Sequence, residues 1–191
     1  LVHLEPIQYS GGSTHEAIES GYSRLLKVDW VDTPTNQVVA PDLAESWEVS
    51  KDGLTMTFKL RKGARFHNID PVNGREVTSE DIKYSLERAA YDPGSLYQAT
   101  YRSVDRFEAP DKYTFVIKMK SFDAEFLTLL SGVHGWIVPK EVVQKYGNLK
   151  TVLIGSGPFI FDKWVKDVVV VFKRNPNYYI KELPYVDEFH Y

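Results

Sequence analysis

Residues able to do chemistry are sparse in this chain, and their spacing argues against most of what they could do. Ser156 lies between Gly155 and Gly157. A nucleophilic serine on a strained strand-to-helix turn needs glycines two residues away on either side, in the order G-x-S-x-G. Ile154 and Pro158 fill those places instead. The triplet therefore reads as a tight strand entry, where small residues let two backbones approach. The histidines, His3, His15, His67, His134 and His190, form neither H-x-x-x-H nor H-E-x-x-H, so no preorganised zinc or nickel site is expected. Carboxylates pair at Glu80-Asp81 and Asp187-Glu188. The first pair opens a helix, where acids complement the positive end of the dipole, so acid–base catalysis has no support. Cysteine is absent, which excludes disulfides, thiolate chemistry and cysteine-based zinc sites. Neither a catalytic residue nor a cofactor is expected.

Aromatic residues say more. Twelve tyrosines, ten phenylalanines and four tryptophans make 14% of the chain. Trp47, Phe58, Phe115, Phe159 and Phe161 fall on expected strands and read as core. Tyr97 and Tyr101 differ, because they follow the break Asp92-Pro93-Gly94-Ser95 in a loop-like stretch. A tyrosine there offers a large rigid face and a hydroxyl, suited to holding an extended ligand without demanding its identity. The plain alternative is packing.

Composition narrows the classes. With 191 residues, 43% hydrophobic and 26% charged, the chain suits a globular protein of one or two domains with a core that needs no staples. A formal net charge of −3 gives no electrostatic case for nucleic acid or an anionic membrane. No apolar run approaches the ~20 residues of a membrane span. The chain starts at Leu1 without a methionine or signal peptide and stops on the strand-like Glu188-Phe189-His190-Tyr191. Both ends read as cut, which makes a fragment of a longer protein the expectation.

The elements that must position these residues are legible in part. Ser13-Thr14-His15-Glu16 has capping-box spacing and, with Ala17, Ile18, Tyr22 and Leu25, predicts a helix to about Leu26. Thr33-Pro34-Thr35-Asn36 is a turn signal before a strand near residues 37–40. Hairpins are expected over residues 46–60 and 101–119, the second around Pro110-Asp111-Lys112. A third joins residues 158–164 and 168–174 around Lys166-Asp167. Helices are expected over residues 79–90, from about Asp123 to Leu130, and from Pro139 to a stop at Gly147. The fold class is mixed α+β, with antiparallel hairpins and intervening helices.

The run from Pro41 to Arg88 is the most specific. Ser46 to Ser50 reads as a strand, Lys51-Asp52-Gly53 as a turn tolerant of positive φ, and Leu54 to Leu60 as a return strand that alternates Leu54, Met56, Phe58, Leu60 against Thr55, Thr57, Lys59. After a basic loop, Thr78-Ser79-Glu80-Asp81 caps a helix carrying Ile82 and Leu86. The segments LAESWEVSKDGLTMTFKLRKGARFHN and VTSEDIKYSLER resemble the solute-binding proteins, family 5, of oligopeptide, dipeptide and nickel ABC importers. So do Gly155-Ser156-Gly157-Pro158-Phe159 and Arg174-Asn175-Pro176-Asn177-Tyr178-Tyr179, and the resemblance extends from about Glu5 onward. One departure is clear: the family's His-Asp-Gly is here His67-Asn68-Ile69-Asp70, in a longer loop that runs on through Pro71-Val72-Asn73-Gly74-Arg75.

The resemblance implies a periplasmic-binding-protein-like fold of type II in the large peptide-binding class, present in part. Residues 1–39 and 155–191 would belong to one lobe and 40–154 to the extra subdomain, with the second lobe outside this sequence. It implies an importer's substrate-binding component, performing no covalent chemistry, that captures a peptide-like solute and delivers it to an ABC permease. The location would be periplasmic or extracellular, the protein a monomer, and any membrane association would come through an N-terminal lipid anchor beyond this sequence. By resemblance, Tyr97 and Tyr101 look toward the ligand, Glu5 meets a peptide's ammonium group, and His67 is structural. Two other readings compete: an interaction or sensor domain derived from this fold, and a small carboxylate-dependent hydrolase.

Overall fold

The computed structural model describes residues 3–8, 12–32, 36–165 and 168–190. In chain order they form α1 (Gly12–Gly21), β1 (Ser23–Arg24), β2 (Leu26–Trp30), β3 (Gln37–Pro41), β4 (Ala44–Val49), β5 (Thr55–Leu60) and α2 (Ser79–Tyr91). A 3-10 turn (Gln98–Tyr101) leads into β6 (Val104–Asp111), β7 (Thr114–Met119), α3 (Phe126–Ser131), β8 (Trp136–Ile137) and α4 (Lys140–Tyr146). The chain continues through β9 (Phe159–Val165), β10 (Val169–Arg174) and β11 (Glu188–His190). It divides into two compact units. The first comprises Leu1–Ser23, Gly63–Val77 and Val138–Tyr191; the second comprises Arg24–Lys62 and Thr78–Ile137.

Local hairpins build the second unit. Its four-stranded antiparallel sheet has the order β4-β5-β7-β6. Alternation decides which face is buried: Met56, Phe58 and Leu60 on β5 and Phe115, Ile117 and Met119 on β7 are all sequestered. Phe115 lies 6.1 Å from Phe58 and stacks at 6.1 Å on Phe107 of β6. Against this face packs α2, through Ile82, Leu86 and Ala89. The opposite face is polar around Val116, and Lys59 and Lys118 reach across the β5–β7 pair to donate to Thr114 and Thr55 at 2.9 and 3.1 Å. The β4–β5 turn forms as the Asp-Gly pair predicts: Asp52 accepts the Leu54 N–H at 2.9 Å and Gly53 takes φ +70°. A side chain at Gly53 would also collide with the Phe122 ring, 2.3 Å from an added Cβ. Thr78 begins α2 by donating its N–H (2.9 Å) and its hydroxyl (3.0 Å) to the Asp81 carboxylate. Strands β2 and β3 form a separate antiparallel pair, Leu26 opposite Pro41 and Trp30 opposite Gln37, packed against α3.

The first unit is drawn from three stretches of chain. Its sheet is antiparallel with the order β11-β10-β9. Phe172 is fully buried at its centre, 5.8 Å from Phe161 and 6.1 Å from Phe189. Gly147 closes α4 with φ +78°, as its glycine predicts.

Two expectations need correction. Helix α1 stops at Gly21, and Leu26 opens a strand. The cause is tertiary: the Gly21 carbonyl accepts the Gly157 N–H at 2.9 Å, and Cβ atoms added at Gly155 or Gly157 would lie 2.1 and 2.6 Å from the Gly21 backbone. The glycine triplet is thus a close backbone approach, as the spacing suggested. The second hairpin's first strand starts at Val104 rather than Tyr101, because residues 98–101 coil into the 3-10 turn. Residues 24–39 pack within the second unit, and 63–77 and 138–154 pack within the first. The Ser13, Thr14 and Glu16 side chains of the capping box, the turn residues 33–35 and the turn residues Lys166 and Asp167 lie outside the described residues.

Candidate functional site

His67 organises the first unit. It is almost wholly buried, and its ring is bound on both edges. The Gly155 N–H donates to Nδ1 at 3.3 Å, so Nδ1 carries no proton and Nε2–H donates to the Gly157 carbonyl at 3.2 Å. The His67 backbone N–H reaches the Gly155 carbonyl at 2.7 Å. Burial lowers the imidazole pKa to about 4, opposed by the hydrogen bond to Gly157, so the ring is neutral near pH 7. The Gly157 carbonyl accepts a second donor, Asn175 Nδ2, at 2.9 Å. The sequence blocks around Phe66-His67, Gly155-Gly157 and Arg174-Asn175 therefore meet at one oxygen atom. Asn175 also turns its own chain, since its side-chain oxygen accepts the Asn177 N–H at 3.0 Å.

Ion pairs fasten the outer part of the same loop to α4. Arg75 forms a two-pronged pair with Glu141, with Nη2 to Oε2 at 2.8 Å and Nε to Oε1, and its guanidinium stacks 4.9 Å from the Phe66 ring centre. Arg75 holds the Glu141 carboxyl below the usual carboxylate range. Lys145, one turn further along α4, pairs with Asp70.

The three nominated ligand residues all have internal roles. Glu5 is fully buried in the first unit, where its Oε2 accepts the Leu149 N–H at 3.0 Å. Tyr101 is buried in the second unit, edge-on to Phe107 and Phe126 at 6.1 and 6.0 Å, and its hydroxyl donates to the His134 carbonyl. Tyr97 packs edge-on against the His134 ring at 4.8 Å, while its neighbours Leu96 and Gln98 are exposed. Burial raises both phenol pKa values, so neither ionises near neutral pH.

Sequence reasoning passed over Trp136. Its indole Nε1 is buried with no protein hydrogen-bond partner, and the Arg24 guanidinium lies 4.4 Å from its ring centre. Arg24 is set there by the Asp42 carboxylate, which accepts its backbone N–H at 2.7 Å. The Gly135-Trp136 pair just after a helix was the available signal; Gly135 is obligatory, because an added Cβ would lie 2.1 Å from the Leu130 carbonyl oxygen. Among the described residues, no cluster of His, Asp or Glu could hold a metal ion. Among the described residues, no helix is long and apolar enough to cross a membrane.

Comparison with known proteins agrees with this architecture. Di/tripeptide-binding protein 2 of Pseudomonas aeruginosa (strain UCBPP-PA14) is 32% identical over 96% of this chain and 37% of its own length. Among solved structures, the PBP AgaA in complex with agropinic acid, from A. tumefacien R10, is 30% identical, with a TM-score of 0.84 over 99% of this chain and 37% of that one. DppA from Helicobacter pylori, in complex with peptide STSA, is 28% identical, with a TM-score of 0.83 over 98% of this chain and 40% of that one. The chain thus spans little more than a third of the length of the curated relatives it matches, 36% and 37% for the first two. Residues 38–191 match the family model described as bacterial extracellular solute-binding proteins, family 5 Middle. The chain belongs to the bacterial extracellular solute-binding proteins of family 5.

Proposed function

We propose that the protein carrying this chain is the substrate-binding component of an ABC importer, which captures a peptide-like solute outside the cytoplasmic membrane and delivers it to the permease. The observation that carries this reading is the superposition of nearly the whole chain on a peptide-bound relative at a TM-score of 0.83. The protein performs no covalent chemistry. In support, the Ser156 hydroxyl is fully buried and has no hydrogen-bond partner, so no base activates it. Capture in this fold class is a closure of lobes around the solute. We assign the first unit to one lobe and the second to the extra subdomain. The remainder of the protein supplies most specificity contacts, and this chain alone binds peptide weakly.

Within the second unit, Trp136 Nε1–H is the donor offered to a ligand carbonyl, since a buried indole N–H otherwise goes unsatisfied. Tyr97 and Tyr101 bear on the ligand through His134: the buried Tyr97 ring packs edge-on against the His134 ring, and the Tyr101 hydroxyl donates to the His134 carbonyl. Glu5, fully buried on the Leu149 N–H, reaches a peptide ammonium only by giving up that bond. Mass spectrometry of the solute that co-purifies with the intact protein tests this reading, followed by isothermal titration with that solute. A peptide retained and bound without cleavage supports it. Cleavage of the peptide, or an intact protein that retains and binds no small solute, overturns it.

A further inference from the structure

Where the loop after His67 departs from the family pattern, it builds a cavity. Ile69 and Asp70 of that loop, Tyr146 at the end of α4, Val152 and Ile154 from the segment beyond it, and Phe161 on β9 line a space of about 190 Å3. All of them belong to the first unit. Four of these side chains are aliphatic or aromatic hydrocarbon. Asp70 and Tyr146, with Thr151 beside them, are the solvent-exposed members.

The Lys145 ammonium shows what those two groups recognise. It pairs with the Asp70 carboxylate and lies 5.3 Å from the centre of the Tyr146 ring. An alkylammonium is therefore already held by a carboxylate and an aromatic face, the two groups that favour a cation most directly. The pair is open to water, with 44% of the lysine and 67% of the aspartate side chain exposed, so it is weak and exchangeable. We propose that this cavity is a binding site for a small primary amine with an apolar body. The ligand's ammonium replaces that of Lys145 on Asp70 and Tyr146, and its body lies against Ile69, Val152, Ile154 and Phe161. A space this small, below the ~300–1,000 Å3 of sites for drug-sized molecules, limits the body to roughly one ring or one short aliphatic chain. A free amine and the amino end of an apolar peptide share this chemistry.

Phenethylamine titrated into the intact protein, with isoleucine methyl groups labelled for NMR, reads the site through Ile69 and Ile154. Saturable shifts of both methyl groups in the millimolar range are expected. Asp70→Asn should weaken the binding by about fivefold and Lys145→Gln should tighten it by about twofold, because a competing ammonium has gone. Phenylpropionate, which carries a carboxylate on the same body, should leave both methyl groups unmoved. Phenylalaninamide separates the two sources: tighter binding than phenethylamine assigns a peptide amino end, weaker binding a free amine. Both substitutions lie at exposed positions, and unchanged methyl signals elsewhere verify the fold. The proposal is overturned if phenethylamine moves neither methyl group, if Asp70→Asn binds it as well as the parent, if Lys145→Gln binds it less well, or if phenylpropionate binds instead.

Discussion

The two units are held together by different physics. The second is a hairpin sheet whose core is hydrocarbon: Phe107 and Phe115 come from one hairpin, Phe58 comes from the other, and each hairpin carries its own turn residue. The first is gathered from three distant stretches, and buried polar groups decide where they meet. His67 and Asn175 converge on the Gly157 carbonyl, and Glu5 accepts the Leu149 N–H. Apolar contacts in the second unit are non-directional and degrade gradually when altered. Hydrogen bonds in the first are directional, and loss of one partner strands the other in a buried site.

That contrast can be broken by substitution, and the largest effect should fall in the second unit. Phe115→Ala removes a fully buried ring flanked by two others and should destabilise the protein by about 3–5 kcal/mol in urea unfolding. Phe115→Leu should recover much of that loss, because hydrocarbon is what the site requires. His67→Leu is the counterpart in the first unit. It keeps apolar volume but leaves the Gly155 N–H and part of the Gly157 carbonyl unsatisfied, and should cost about 2–3 kcal/mol by the same measurement. A leucine tolerated at both positions would erase the distinction.

Smaller effects sharpen it. The Arg75–Glu141 pair is two-pronged but one-third exposed, so Arg75→Ala should lower stability by only about 1 kcal/mol, with the loss reduced in high salt. Ser156→Ala should be neutral or stabilising by up to about 1 kcal/mol, because it removes a buried hydroxyl that has no partner. Destabilisation by Ser156→Ala would reveal a hydrogen bond at that hydroxyl and place it among the polar pins.

Legibility in the sequence follows the same division. Alternation of Met56, Phe58 and Leu60 against Thr55, Thr57 and Lys59 is a local signal, and the Asp52-Gly53 turn and the Thr78 cap are read from consecutive residues. Each of those elements forms where it was expected. Contacts across the first unit leave no such trace. His67 and Gly157 are 90 positions apart, and a glycine's carbonyl has no sequence signature. The same gap explains why α1 was expected to run past Gly21, since its end is set by Gly155 and Gly157 rather than by its own residues. Among the candidate ligand residues, the break after α2 marked Tyr97 and Tyr101. Only tertiary packing separates them, with Tyr101 committed to the core and Tyr97 at the border of an exposed stretch. Trp136 escaped notice because an unsatisfied indole N–H is a property of its surroundings.

His67 also sets the pH response of the first unit. Its imidazole has an ordinary value of 6.5 when unfolded and about 4 when folded, so between these the unfolded chain binds the extra proton. The stability it supplies is complete above about pH 6.5 and is lost as pH falls toward 4, by about 3 kcal/mol in all. Nitrogen-15 NMR of this one ring, followed from pH 8 to 4, tests directly whether a neutral polar pin organises the unit. The account predicts a buried imidazole with its proton on Nε2, uncharged until the pH approaches about 4. Protonation with a midpoint near 6.5, or a proton on Nδ1, would contradict it.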